Sequence, residues 1–311
     1  MLSPEQIKYA DAAYSIYDHD WRFYSEFIGE PFLCGDCLAY FDGTVLSFCA
    51  FPLGDCARKV EGGDLLKTVE NFPYAQNLRG LEVWGRYDPL PPNITCGGAS
   101  LNLVESYAES TMTDVKLDVR SFSFETNAKA RLNRNWARNK GVVTTVGKLE
   151  RLSHEHIALM EQFFLTHKIS TLHTTFYLAI PSLIKNDNVF VVEGRVEGKL
   201  KGYAVLSQPN PEVACMIIGF YDNAGGFRAT DGIYAQTIEW AQAQNLHYLH
   251  FGYSATESLL AFKRKWGATI DGPPYYETRY AVDSRIADAF KNGKCTWRER
   301  VYQSAISAGP A

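Results

Sequence analysis

Residues 251–268 read FGYSATESLLAFKRKWGA. A β-rich approach ends at Phe251-Gly252, an amphipathic turn or two follows, and Lys263, Arg264 and Lys265 crowd together just before Trp266-Gly267. A helix end favours cations through its dipole, so charge alone reads the cluster equally well as a solvated basic end or as a site. The surrounding pattern decides the fold. Ala214 to Phe220 is a continuous apolar run, suited to a strand covered on both faces. A loop from Asn223 to Gly232 follows. Ile233, Tyr234, Ile238, Trp240 and Ala241 then recur at helical spacing, and Leu246 to Phe251 supplies the next strand. A helix between two strands implies a right-handed crossover.

Working outward, two hairpins stand out. Cys37 to Phe41 and Thr44 to Phe51 flank Asp42-Gly43, and Val189 to Glu193 and Leu200 to Leu206 flank a turn around Glu197-Gly198. The helix after each carries an echo: Gly63 to Leu78 aligns with Gly232 to Leu246 given one extra residue, and both copies end in AQNL. This points to duplication. Only about a dozen residues separate the first hairpin from Gly63, so the first copy is expected to have lost a strand and a loop, and chemistry is expected in the second.

With 311 residues, 46% hydrophobic and 21% charged, the chain has an ordinary globular composition, and disordered and fibrous classes drop out. The longest apolar run is far shorter than the roughly 20 residues of a membrane-spanning helix, and the N-terminus lacks an export pattern, so a soluble cytoplasmic protein is expected. Ser3-Pro4-Glu5-Gln6 reads as a capped helix start. The odd count of seven cysteines argues against a disulfide framework. Cys34 and Cys37 form a CxxC without the second close pair that structural zinc uses, so small buried thiols are expected and no metal. The net charge of -4 gives no general attraction to nucleic acid, yet Lys129, Arg131, Arg134, Arg138, Lys140, Lys148 and Arg151 face the single acid Glu150 between residues 129 and 151. A basic strip therefore lies on an acidic body.

A hairpin, an apolar strand, a glycine-containing loop at a helix start, another strand, then a short helix ending in an aromatic and Gly is an order that resembles the GNAT acyltransferase superfamily. The second copy, roughly Leu152 to Asp271, resembles one such domain and the first a degenerate one. FGYSATESLLAFKRKWGA, with FK ahead of an aromatic-Gly, resembles the end of the Fem-type branch, the peptidoglycan aminoacyltransferases and relatives. Leu117-Asp118 followed by the basic helix Ala128 to Lys140 resembles that branch's link between halves. The resemblance implies a mixed α/β tandem GNAT fold with a degenerate N-terminal domain at 1–115, a basic linker at 116–150, a C-terminal GNAT domain at 151–300 and a tail at 301–311. The function it implies is an acyltransferase joining an activated acyl or aminoacyl group to an amine. The donor is CoA or an acyl carrier protein bearing a phosphopantetheinyl thioester, slightly preferred, or alternatively aminoacyl-tRNA in a Fem-like reaction. An inactive GNAT pair that binds a ligand or scaffolds a partner is the reading from another class. No membrane partner is expected.

Two departures from the family pattern matter. The donor loop has the form (Gln/Arg)xxGx(Gly/Ala), whereas Arg228-Ala-Thr-Asp231-Gly232 has the glycine one place late. The acid Tyr four residues before the final Gly is replaced by Lys263, which the resemblance assigns to a phosphate or a developing oxyanion. Among other residues, Gly225, Gly226, Phe227, Arg228, Ala229 and Thr230 precede a helix, where free amides favour an anion, although glycines also simply make turns. His250 could accept a proton from an attacking amine, or be satisfied by a structural hydrogen bond. Asp222, Tyr253 and Ser254 are its rivals. Arg131, Arg134 and Arg138 share a helix face that could dock tRNA or an acidic carrier, with Leu132 and Trp136 expected to pack the opposite side against the body.

Overall fold

The structure, a computed structural model, describes residues 1–16, 19–25, 28–108, 113–166, 180–222, 226, 228–254, 256–270 and 276–292. It divides into two compact units. One contains the described residues up to 108 together with 276–292, and the other contains 113–166 and 180–270.

The first unit begins with α1 (Pro4–Ala12), closed by the expected capping box: Ser3 Oγ accepts the Gln6 N–H at 3.3 Å and Gln6 Oε1 accepts the Ser3 N–H at 2.8 Å. After α2 (Trp21–Ser25) come β1 (Glu30–Cys34), β2 (Cys37–Phe41) and β3 (Val45–Ala50), three antiparallel strands. The Asp42-Gly43 turn forms as read, with Asp42 Oδ1 accepting the N–H groups of Thr44 and Val45. α3 (Gly62–Glu70) then crosses to β4 (Gly80–Gly85), parallel to β3. The sheet continues with β5 (Asn93–Cys96) and β6 (Ala99–Ala108).

In the second unit β7 (Thr113–Asp118), α4 (Ala128–Asn139), β8 (Val143–Gly147), α5 (His154–Thr166) and the short α6 (Ile180–Leu183) lead to a second antiparallel set, β9 (Val189–Val196), β10 (Lys199–Ser207) and β11 (Val213–Tyr221). α7 (Ala229–Ala243) crosses to β12 (Tyr248–Ser254), parallel to β11, and α8 (Glu257–Lys265) and β13 (Thr269–Ile270) follow. The chain then returns to the first unit as β14 (Tyr276–Ala281) and α9 (Ser284–Asn292).

The sheet orders are β1-β2-β3-β4-β14-β6-β5 and β13-β7-β12-β11-β10-β9-β8. Each sheet has a run of antiparallel strands, β1-β2-β3 in the first and β8-β9-β10-β11 in the second, then a helical crossover to a parallel strand and an antiparallel neighbour from a distant part of the chain: β14 in the first and β7 in the second. The second sheet does carry one antiparallel strand more, β8 beside β9, but the strand expected to be missing between the first hairpin and α3 is not the one lost. β1 supplies that strand, and the 37–51 hairpin occupies the position of β10–β11 rather than of β9–β10. The division in space also differs from the one expected along the chain: β7, α4 and β8 belong to the second unit, and β14 belongs to the first.

The two halves differ where their parallel strands meet. β3 and β4 pair through six residues, from Val45 with Gly80 to Ala50 with Gly85. β11 and β12 pair only at Val213 with Tyr248, Ala214 with Leu249 and Cys215 with His250, and then part. Two bulges explain the parting. Leu206 faces Met216 while Val205 faces Ile218, so Ile217 is an extra residue that bends β11. Across the gap, the β12–β7 register slips between His250 and Tyr253, with Gly252 at φ +69°, a left-handed conformation that favours glycine. The second sheet is therefore forked, and the first is closed.

α4 seats itself in an unexpected way. Leu132 and Trp136 are exposed, and Ala130, Asn133 and Ala137 are buried instead, against α7. Small side chains let the two helices approach closely. The larger apolar residues could not fit that contact.

Candidate active site

Lys263 sits in the last turn of α8, a helix capped by Thr256 Oγ1 accepting the Leu259 N–H. Of the three adjacent cations only this one is turned inward: it is 3% exposed, whereas Arg264 and Lys265 face solvent. Its ammonium donates to the Gly252 carbonyl at 3.1 Å, two residues past the last β11–β12 pair. Burial lowers its pKa to about 7, and the Asp114 carboxylate opposes that drop.

Asp114 and His250, each 1% exposed, complete the cluster. His250 Nδ1 accepts the Gly252 N–H at 3.2 Å, which assigns the ring proton to Nε2, and Nε2 lies 3.9 Å from Asp114 Oδ1. With Nδ1 engaged by the backbone and Nε2 protonated, the ring fixes the bulge rather than offering a free lone pair. Asp114 escaped the sequence reading. The available signal was an acid inside the alternating TDVKLD strand, on the face opposite Val115 and Leu117, where β-propensity disfavours Asp.

Aromatic packing aims α8. Tyr234 of α7 stacks on Trp266 at 5.8 Å and meets Phe262 edge-on at 5.0 Å and Phe251 at 5.0 Å. Gly267 then ends the helix at φ +85°, and a Cβ there would lie 3.1 Å from Asn127 Nδ2 and 3.2 Å from Phe122. Gly267→Ala is expected to lower stability by about 1–3 kcal/mol, read from chemical denaturation midpoints.

The sequence matches no protein-family model, and no curated protein matches it significantly. Its fold matches solved structures over nearly their whole length. The C-terminal domain (DUF2156) of a protein provisionally named a lysylphosphatidylglycerol synthetase from Agrobacterium fabrum aligns at TM-score 0.52 and 12% identity, covering 93% of this chain and 95% of that one. L-PGS from Bacillus licheniformis aligns at 0.52 and 11%, covering 94% and 98%. A conserved protein of unknown function from Bacteroides thetaiotaomicron aligns at 0.54 and 12%, covering 85% and 89%. The chain has a tandem GNAT fold.

Within this fold, the other sequence-selected residues are scattered around the fork. Asp222, just past β11, is tied to Lys201 Nζ at 2.7 Å. Ser254 is buried at the end of β12. The Tyr253 side chain, Gly225 and Phe227 lie outside the described residues. Gly226 is exposed at φ +68°, and Arg228 is the left-handed N-cap of α7. Ala229 and Thr230 form the first helical turn rather than a loop, because the helix starts three residues before the expected Gly232 boundary. The Arg228 guanidinium binds Asp231 Oδ2 at 2.9 Å and stacks 4.2 Å from the centre of the exposed Trp136 ring. Asp231 is buried, which raises its pKa against the pull of Arg228.

The arginine strip on α4 is largely engaged within the second unit itself. Glu239 of α7 accepts from Arg134 at 3.3 Å and from Arg138 at 2.9 Å, and Arg134 also stacks on Phe124 at 4.2 Å. Arg131 donates to the Glu125 carbonyl and keeps its charge uncompensated by that bond. Among the described residues no group of His, Cys, Asp and Glu could hold a metal ion, and no helix is long and apolar enough to cross a membrane.

Proposed function

We propose that this protein is an acyl- or aminoacyltransferase whose reaction centre is the fork between β11 and β12, with the Lys263 ammonium at its base. The forked parallel pair, set against the closed pair of the first half, carries this reading. Past Cys215, β11 offers a strand edge to which an extended acyl donor can hydrogen-bond, and a carbonyl laid there meets a preorganised positive charge. As nucleophile attack drives the carbonyl oxygen toward an oxyanion, the buried ammonium attracts that developing charge more strongly than it attracts the neutral carbonyl of the ground state. That differential stabilisation is what accelerates the chemical step. His250 and Asp114 act as positioning residues, holding the bulge and supporting the charge of Lys263.

The donor assigned here is an aminoacyl ester carried on RNA rather than a pantetheine thioester. The α7 N-terminus, which would receive the phosphates of a pantetheine carrier, already has Asp231 in its first turn, buried and bonded to Arg228, and a second anion there would meet a carboxylate. With Arg134 and Arg138 held by Glu239, the donor's polyanionic part is docked by Lys129, Arg131 and Lys140 of the same segment.

The test offers one acyl group on CoA, on a phosphopantetheinyl carrier and on tRNA, with amine and hydroxyl acceptors and mass spectrometry of the products. Ribonuclease-sensitive product is expected. Product from the CoA or carrier donor overturns the donor assignment, and binding without product from any donor turns the reading to an inactive GNAT-fold binding protein.

A further inference from the structure

We propose that Cys34 and Cys37 are a dithiol modification site, oxidised to a reversible disulfide across the β1–β2 turn by low-molecular-weight disulfides. The two residues are direct cross-strand partners that close a two-residue turn, Gly35-Asp36. Gly35 at φ +64° in the first central position marks the hairpin turn that places Gly there. The pair flanking such a turn exchanges backbone hydrogen bonds, with Cα atoms about 5.5 Å apart, inside the roughly 4.4–6.8 Å range that disulfides span. Direct cross-strand partners also share a face of the sheet, and both cysteines pack against the same apolar cluster beneath it. The backbone spacing suits a bridge, and Cys37 Sγ, now 3.6 Å from Asp36 Oδ1, turns from that carboxylate toward Cys34 when the bridge forms.

Exposure sets the order of events. Cys34 is half-buried, while Cys37, Cys49, Cys56, Cys96 and Cys215 are buried. The Cys34 thiolate attacks one sulfur of the reagent, a thiolate leaves and takes up a proton, and a mixed disulfide remains. The Cys37 thiolate then attacks Cys34 Sγ, forming the intramolecular bond and expelling the second thiolate. Overall two protein thiols lose two electrons and two protons to one disulfide, which becomes two thiols. Burial pushes the Cys34 thiol up to about 12 and raises Cys37 further, with Asp36 adding to the latter, so exchange is slow at neutral pH and quickens in alkali. The turn is also an anchor: Leu53 N–H donates to the Asp36 carbonyl at 2.8 Å and Arg58 pairs with the Asp36 carboxylate, so the bridge stiffens the point at which the 52–58 loop attaches.

The experiment treats the reduced full chain with oxidised glutathione at mildly alkaline pH, quenches with acid, alkylates the remaining thiols and maps the peptides. In the folded protein the peptide containing residues 34–37 is expected to lose two hydrogens, to resist alkylation and to revert with reductant. Cys37→Ser is expected to retain one glutathione on Cys34, and Cys34→Ser to leave the peptide containing residues 34–37 without glutathione. Circular dichroism of each variant checks that the hairpin folds. Full alkylation of both cysteines, a stable glutathione on wild-type Cys34, or a bridge from Cys34 to any other cysteine overturns the proposal.

Discussion

Replacing Lys263 by Met is expected to lower kcat for acyl transfer by about 100- to 1000-fold with little change in KM, the range found when a preorganised oxyanion donor is removed. Lys263→Arg, which keeps a charge, is expected to recover part of that loss. The pH profile separates two chemistries for this side chain. If its ammonium stabilises negative charge, the rate of the wild type falls as pH rises through about 7, where the buried lysine gives up its proton. If neutral Lys263 instead removes the nucleophile's proton, the rate rises through the same window, and the proposed role is wrong. Asp114→Asn removes the attraction that opposes desolvation, so the lysine's pKa falls and the limb moves to lower pH. A purely structural Asp114 would lower stability without moving the profile.

The same substitution acts on stability in the opposite sense. Between the folded value near 7 and the ordinary lysine value of 10.5, the unfolded chain binds the proton and the folded chain does not. Wild-type stability therefore rises with pH across that window and is lowest, as far as this group is concerned, below pH 7. Lys263→Met combined with Asp114→Asn, which leaves no stranded carboxylate, is expected to be more stable than wild type by a few kcal/mol below pH 7. The gain shrinks toward pH 10.5. An active site that is less stable than its inactive substitute is the usual signature of a charge kept for chemistry.

Local chemistry was legible in the sequence, and long-range pairing was not. Ser3 with Gln6, the two turns, the apolar β11 and the buried face of α7 each depend on residues a few places apart. β1 was missed because Glu30 to Cys34 is short, sits at a sheet edge and contains Pro31, so it has none of the alternation that marks a strand. The exchange of β7 and β14 between units has no local signature, since either strand satisfies any sheet with an open edge. The shared AQNL shows the limit sharply. In the first copy Ala75–Asn77 is a 3-10 turn, while in the second Ala243 ends α7 and Asn245 turns left-handed at φ +56°. At the candidate site, Lys263 was legible through its register with Trp266-Gly267. Its partner Asp114 comes from β7 and is brought in only by the sheet.

Arg279 of the first unit is paired with three carboxylates, and Arg279→Met is expected to destabilise the protein by about 3–5 kcal/mol, as measured by chemical denaturation. Arg279 on β14 is buried against three carboxylates: Glu82 of β4 at 2.8 Å, Glu105 of β6 and Glu277 of its own strand. Glu82 is itself buried and also accepts from Ser47 Oγ at 3.3 Å. Because β14 lies between β4 and β6, this one guanidinium ties the strand that arrives last in the chain to both of its neighbours. Methionine fills a similar volume, so the cost arises from three acids that lose their shared cation in a poorly solvated place rather than from a cavity. Two consequences separate this account from simple loss of packing. Adding Glu82→Gln to Arg279→Met should restore a large share of the stability, since an amide needs no counter-ion. The single variant should also lose less relative to wild type as pH falls through the carboxylate range, because protonation removes the stranded charges while wild type gives up its ion pairs. A pH-independent deficit, unrepaired by Glu82→Gln, would assign Arg279 to packing alone.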